Sequence, residues 1–240
     1  MTIRKLLQHA TLGAALLGCC SLASAALVTS RAALGSDDYI DWAQLALTDL
    51  NTLDPLATPA SVTSNLGRSA TVQNTGGSLY RFDEGDGTFG GNFTTGDALL
   101  FTLFDGGDID IDFAATTGRA GAQIQGGSGQ AFRATIAAFA AGGSLLESWD
   151  LDGGAFDVLN AGDGSNIFIG ISRATNDIDR IVFSVSYPNE PQLTDFSLAI
   201  NRLSFGPAAD EPGTVPEPAT LALVMLALGM TGVLRRPQRR

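Results

Sequence analysis

The chain is poor in the residue types that carry most enzymatic chemistry. Its 240 residues include one histidine (His9), two adjacent cysteines (Cys19 and Cys20) and one lysine (Lys5), all within the first 25 positions. If that leading segment is removed, no histidine, cysteine or lysine remains. Ser-His-Asp and Cys-His catalysis, Cys/His zinc sites, Schiff-base lysines and disulfides are then excluded, because each needs a missing residue. Positive charge is scarce too. Residues 26–214 hold eight arginines against 24 acidic residues, a net charge near −16. Such a balance disfavours nucleic acid and anionic lipid as partners and leaves divalent cations and neutral or cationic glycans. Glutamate is rare in the same region, at positions 84, 147, 190 and 211. Long amphipathic helical periodicity is missing altogether.

Both ends carry processing signals. Arg4 and Lys5 form a basic n-region, Ala10–Leu17 begins an apolar run, and Ala23-Ser24-Ala25 is a small-residue cleavage site. Residues 1–25 therefore read as a signal peptide for signal peptidase, with a mature start at Ala26. A second reading competes. Leu16-Leu17-Gly18-Cys19 resembles a bacterial lipobox, which would make the product a lipoprotein anchored through Cys19. The apolar run before Cys19 is short and the Ala23–Ala25 site is well formed, which favours ordinary cleavage.

At the other end, Val215-Pro216-Glu217-Pro218 precedes an uncharged run, Ala219–Leu234, and a tail with arginines at 235, 236, 239 and 240. Pro216 and Pro218 lack N–H donors and hold their neighbours extended, open to a processing enzyme. The apolar run spans about 24 Å at ~1.5 Å per helical residue, short of the ~30 Å hydrocarbon core of a bilayer. Arg235, Arg236, Arg239 and Arg240 supply a cytoplasmic anchor under the positive-inside rule. An ordinary C-terminal membrane anchor is one reading. A GPI signal fits poorly, since its apolar tail should not end in arginines. The three parts in this order resemble the PEP-CTERM sorting signal of Gram-negative bacteria that make exopolysaccharide. That resemblance implies recognition by exosortase, transient residence in the inner membrane through residues 219–234, and release or transfer to the cell surface or beyond.

Residues 26–206 read as one all-β module, followed by an acidic linker at 207–214. Short runs alternate apolar and polar residues between Gly/Asn/Asp clusters, the pattern of a β-sandwich. Ala26–Leu34 is a short leading segment, and Gly35–Leu47 a turn with one or two helical turns. Strands are expected at Ser69–Gln73 and Ser78–Phe82, joined by the Asn74–Gly77 turn. Ala98–Phe104 is an apolar, buried strand. Asp108–Phe113 alternates aspartate with Ile109, Ile111 and Phe113. Further strands are expected at 118–125, 131–141, 144–151, 166–172 and 178–186, with a hairpin turn at Gly142-Gly143, and Thr194–Phe205 ends the domain. Gly121-Ala-Gln-Ile124, Phe132–Phe139, Gly142–Leu146, Phe168–Ile171 and Ile181–Ser184 resemble, in order, the β-sandwich modules of PEP-CTERM proteins. More loosely they resemble galactose-binding-type jelly rolls. The resemblance implies a jelly-roll-like sandwich and transfers no ligand-binding residue.

Candidate sites are few. Asp83, Glu84 and Asp86 lie in a glycine-rich loop and could bind Ca²⁺ through oxygen ligands, although their spacing is not that of an EF-hand. Asp108, Asp110 and Asp112 share one strand face, where repulsion calls for solvent or a cation. Structural calcium is thus the one cofactor the sequence suggests. Tyr39, Trp42, Tyr80, Phe89, Phe93, Trp149 and Tyr187 are the rings available to stack on sugars. A hydrolase would have to use two carboxylates, as glycoside hydrolases do, with Glu147 and Glu84 the residues to consider. The reading favoured is a non-catalytic exported protein associated with exopolysaccharide or biofilm matrix.

Overall fold

A computed structural model describes residues 25–49, 52, 54–85, 91–103, 106–155, 166–190 and 197–208. The leader through residue 24, Asp86, Phe89 and the sorting signal lie outside the described residues.

In chain order the strands open with β1 (Ala26–Val28), β2 (Asp38–Ile40), β3 (Ala60–Thr63), β4 (Ser69–Thr75) and β5 (Leu79–Asp83). β6 (Ala98–Thr102), β7 (Asp108–Thr117), β8 (Arg119–Gly126), β9 (Phe132–Phe139) and β10 (Leu145–Gly153) follow. The last are β11 (Ile167–Ser172), β12 (Ile178–Ser186), β13 (Leu198–Ile200) and β14 (Leu203–Gly206). A one-turn helix, α1 (Arg31–Leu34), and a 3-10 turn at Trp42–Gln44 complete the described elements. All strand pairings among them are antiparallel.

Two sheets face each other. One runs β10-β9-β12-β7-β4-β3; the other runs β1-β11-β8-β13-β6-β5, with β14 and β2 branching from β8. This is the expected β-sandwich. Its core follows from the two-residue period of the pleat. In β9, Phe132, Ala134, Ile136 and Ala138 point inward; in β12, Ile181, Phe183 and Val185 do. They meet Leu79, Leu100, Ile124, Ile171, Leu198 and Ile200 from the opposite sheet. Each fully buried aliphatic or aromatic side chain contributes about 1.5–3 kcal/mol, which is ample reason for the register to hold. A smaller cluster of Tyr80, Phe82, Phe93, Leu99 and Phe101 covers β5 and β6 separately.

Three expectations are refined. The leading segment is part of the sheet, because Ala26–Val28 pairs with Gly170–Ser172. Its first strand residue is the first residue after the Ala23–Ala25 site, so cleavage there leaves the edge strand whole. Second, β4 and β5 do not form a hairpin; they enter opposite sheets. Asn74 makes this corner, its Nδ2 donating to the carbonyls of Ser78 (2.8 Å) and Gly106 (2.9 Å) in place of ladder bonds. Third, the segment that ends the domain holds two strands, β13 and β14, in its described residues. The chain breaks at Asn201-Arg202 between β13 and β14.

The core sets a first prediction. Phe183→Ala, in a fully buried position, should lower unfolding free energy by about 3–5 kcal/mol. Leu66→Ala at an exposed turn should shift it by less than about 0.5 kcal/mol. Urea unfolding of the two variants checks the contrast.

Candidate functional site

The break at Asn201-Arg202 divides the eight-stranded sheet. β13 pairs with β8 at Ile124–Gly126 and leads on to β6 and β5. β14 pairs with β8 at Arg119–Gly121 and leads to β2. Between the two branches the backbone must find other partners. Trp42 provides one, its fully buried indole donating from Nε1 to the Asn201 carbonyl at 2.8 Å. The 3-10 turn that holds Trp42 is capped by Asp41, which accepts the Ala43 N–H at 2.9 Å.

The Asn201 side chain, itself buried, uses its full hydrogen-bonding capacity. Its Oδ1 accepts from Arg31 Nη2 (2.9 Å) and from the Gln123 N–H (3.1 Å). Its Nδ2 donates to Asp97 Oδ2 (2.9 Å) and Gln123 Oε1 (2.7 Å). One amide thereby ties α1, β8 and the segment before β6 together.

A pocket of about 310 Å³ lies at this fork, lined by Arg31, Arg81, Arg202, Asp41, Asp97 and Gln123 among others. Arg31 donates to the Arg202 carbonyl at 3.0 Å and to the Ser204 hydroxyl, and sits 5.3 Å above the Phe168 ring. Burial, then the neighbouring charge of Arg202, lowers its pKa to about 10, with Asp97 opposing the shift. Arg81 is buried and ion-paired through Nη2 to Asp83 at 2.6 Å. Its Nε has no hydrogen-bond partner among the described residues. Arg202 is exposed at the rim, stacked 4.7 Å over Tyr39.

The sequence-predicted residues are dispersed. Asp83 is bound to Arg81, and Glu84 is buried with Oε1 accepting the Gly91 N–H at 2.8 Å. Both belong to the β5 end of the eight-stranded sheet. Asp108, Asp110 and Asp112 lie on β7 of the other sheet and share its outer face as expected. Aspartates two apart on a strand are spaced by roughly 7 Å, too far for three to close on one ion. No group of three acidic side chains among the described residues could hold a metal. The expectation of solvated carboxylates fails for Asp110, which is buried and accepts a hydrogen bond from the Thr75 hydroxyl. Burial, and secondarily the charge of Asp110, raises the pKa of Asp108. Burial raises that of Asp112 as well, opposed by Arg180 across the strand pair. Of the rings, Trp42, Tyr80, Phe93 and Tyr187 are buried, so they pack rather than present sugar platforms. Tyr39 is half-exposed under Arg202, and Trp149 packs against the core edge. Glu147 lies on β10, in the sheet opposite Glu84, 4.0 Å from Arg173.

Residues 214–240 match the PEP-CTERM protein-sorting motif. The chain carries an exosortase sorting signal. A protein with this signal is exported and membrane-anchored during sorting. No helix among the described residues is long and apolar enough to cross a membrane; the run at 219–234 lies outside them. No curated protein matches the chain. Among solved structures it is similar to a DUF4465 family protein from Bacteroides caccae, at 8% identity and a TM-score of 0.39, over 76% of this chain and 99% of that one.

Sequence reasoning missed Arg31, Arg81, Asn201 and Arg202. The one available signal was the scarcity of arginine in an acidic module, which makes the placement of each arginine informative.

Two predictions follow from this geometry. Asn201→Ala removes the partner of Arg31, Gln123 and Asp97 together and should destabilise the fold by about 1–3 kcal/mol in urea unfolding. Asp108→Asn should act in the other direction. A carboxyl whose folded pKa lies above its unfolded value makes the native state lose stability as pH rises through that interval. Removing its charge should therefore raise the melting temperature at pH 7 by about 1–3 °C. In acid, where Asp108 is already protonated, thermal scans should show the gain disappear.

Proposed function

We propose that this chain is a non-catalytic protein of the cell surface or extracellular matrix, delivered by exosortase and associated with exopolysaccharide through its β-sandwich. The carrying observation is the sorting motif at 214–240, placed directly after a sandwich whose last strand closes at Gly206. In the sequence the motif follows the sandwich after a short acidic linker, so cleavage at Pro216-Glu217-Pro218 would separate the sandwich from residues 219–240. The composition supports the reading, since the mature chain lacks the nucleophile–base pairs of common hydrolases. The fork pocket supports it as well. It is concave and mainly polar, with arginine, carboxylate and amide groups of the kinds that recognise hydroxyl-rich ligands.

In a host with exosortase, replacing Pro216, Glu217 and Pro218 by alanine should stop processing and leave the full-length chain in the inner membrane. The unaltered chain should be trimmed, exported and recovered with the extracellular polysaccharide. Immunoblotting of membrane, cell-surface and polysaccharide fractions reads both outcomes. Normal trimming of the altered chain would overturn the sorting role of the motif. Exported chain found wholly outside the polysaccharide fraction would overturn the matrix association.

A further inference from the structure

The fork pocket concentrates the scarce positive charge of the sandwich. Three of the eight arginines in residues 26–214 line it. The neighbouring carboxylates are partly committed elsewhere. Asp97 accepts from Asn201, Asp41 caps the Ala43 N–H, and Asp83 takes Nη2 of Arg81. Arg81 is only 7% exposed, yet its Nε–H has no acceptor among the described residues. Arg81 lines the pocket, and its positive charge attracts an anion seated there. Arg202 stands at the mouth with its guanidinium carbon 4.7 Å over the Tyr39 ring, a cation–π contact that restrains the side chain before it engages a planar anion. Arg31 and Arg202 repel one another, and that repulsion is one cause of the low Arg31 pKa. An anion placed near both would relieve it.

The remaining lining narrows the ligand. Asp41, Asp97 and Gln123 can accept hydrogen bonds from hydroxyl groups, and the two aspartates disfavour a multiply charged anion such as phosphate more than a single carboxylate. A volume near 310 Å³ is at the lower limit of ordinary ligand sites, ~300–1,000 Å³, and suits one ring. Resting on the proposed association with exopolysaccharide, we infer that the fork pocket binds an acidic sugar residue, with Arg81 and Arg202 holding its carboxylate and Asp41, Asp97 and Gln123 its hydroxyls. The net charge of the module points the other way, toward neutral or cationic glycans. Charges more than about 8 Å away are screened at physiological ionic strength, so the local arginines decide once the ligand is seated.

The test is calorimetric titration of the detergent-solubilised full chain with sodium D-glucuronate, D-glucose and sodium phosphate. Glucuronate and glucose differ only at C6, so the pair isolates the carboxylate. Saturable glucuronate binding is expected, with glucose and phosphate each about tenfold weaker or more. Arg202→Glu, at an exposed position, should weaken glucuronate about tenfold or more with an unchanged thermal transition, and Arg202→Lys should retain part of the affinity. Absence of glucuronate binding, equal binding of glucose, tighter binding of phosphate, or indifference to Arg202→Glu would each overturn the inference. Extracellular polysaccharide that retains wild type and Arg202→Glu equally would overturn the pocket's role while sparing the matrix association. Glucuronate binding as expected in a chain that the polysaccharide does not retain would spare the pocket and overturn that association.

Discussion

The side-chain amide of Asn201 is the interaction on which the fork depends. A sheet that branches leaves backbone groups without ladder partners at the point of division, and burying them unpaired is costly. Here Trp42 takes the Asn201 carbonyl, and the Asn201 amide engages Arg31, Gln123 and Asp97 at 2.7–3.1 Å. The amide has two donor and two acceptor positions, and all are filled. Without this hub, β13 and β14 would have no reason to part company at that residue, and the pocket between the branches would have no floor.

Charge is distributed on the same plan. The module is strongly acidic, and Asp41, Asp49, Asp54, Asp150 and Asp152 are exposed on its surface. Individual carboxylates nevertheless have structural work. Asp38 is buried and accepts from the Ser64 hydroxyl and the Leu66 and Tyr39 N–H groups. Asp177 is held below its ordinary carboxylate range chiefly by a two-pronged hydrogen bond from Arg173, at 2.7 and 2.9 Å. The arginines are used more selectively still. Arg173 and Arg133 pair with carboxylates, Arg119 ties α1 to β14 through the Leu34, Gly35 and Pro207 carbonyls, and Arg180 lies 4.4 Å over the Phe139 ring. Those at the fork stand apart because Arg31 and Arg202 lie close enough to repel and Arg81 keeps a buried donor unanswered.

How legible these features were depends on the range of the interaction behind them. The alternation of β9 and β12 placed Ile136 and Phe183 inside without reference to any partner strand, and the Gly142-Gly143 turn joined β9 to β10 as expected. Asp108, Asp110 and Asp112 were correctly put on one face. Their different burial was not visible, because it depends on Thr75 of β4 and Arg180 of β12 lying alongside. The Asn74–Gly77 turn was recognised as a turn, but its role in sending β4 and β5 into opposite sheets needed Gly106, 32 positions away. Residues 194–205 were read only as the end of the domain; their division into β13 and β14 was not visible, because β6 lies beside the first and β2 beside the second.

Local physics was thus settled by the sequence alone. The two-residue period of an extended chain decides which side chains share a face, and the order of Pro216-Glu217-Pro218, apolar run and arginine tail marks the sorting signal. Tertiary structure decided everything that required distant segments to meet. Arg31 reaches Asn201 across 170 positions and Trp42 reaches it across 159. No local periodicity encodes such a meeting. It exists because the register of fourteen described strands, held by burial of their inward faces, brings α1, β5, β8 and the β13–β14 break to one place.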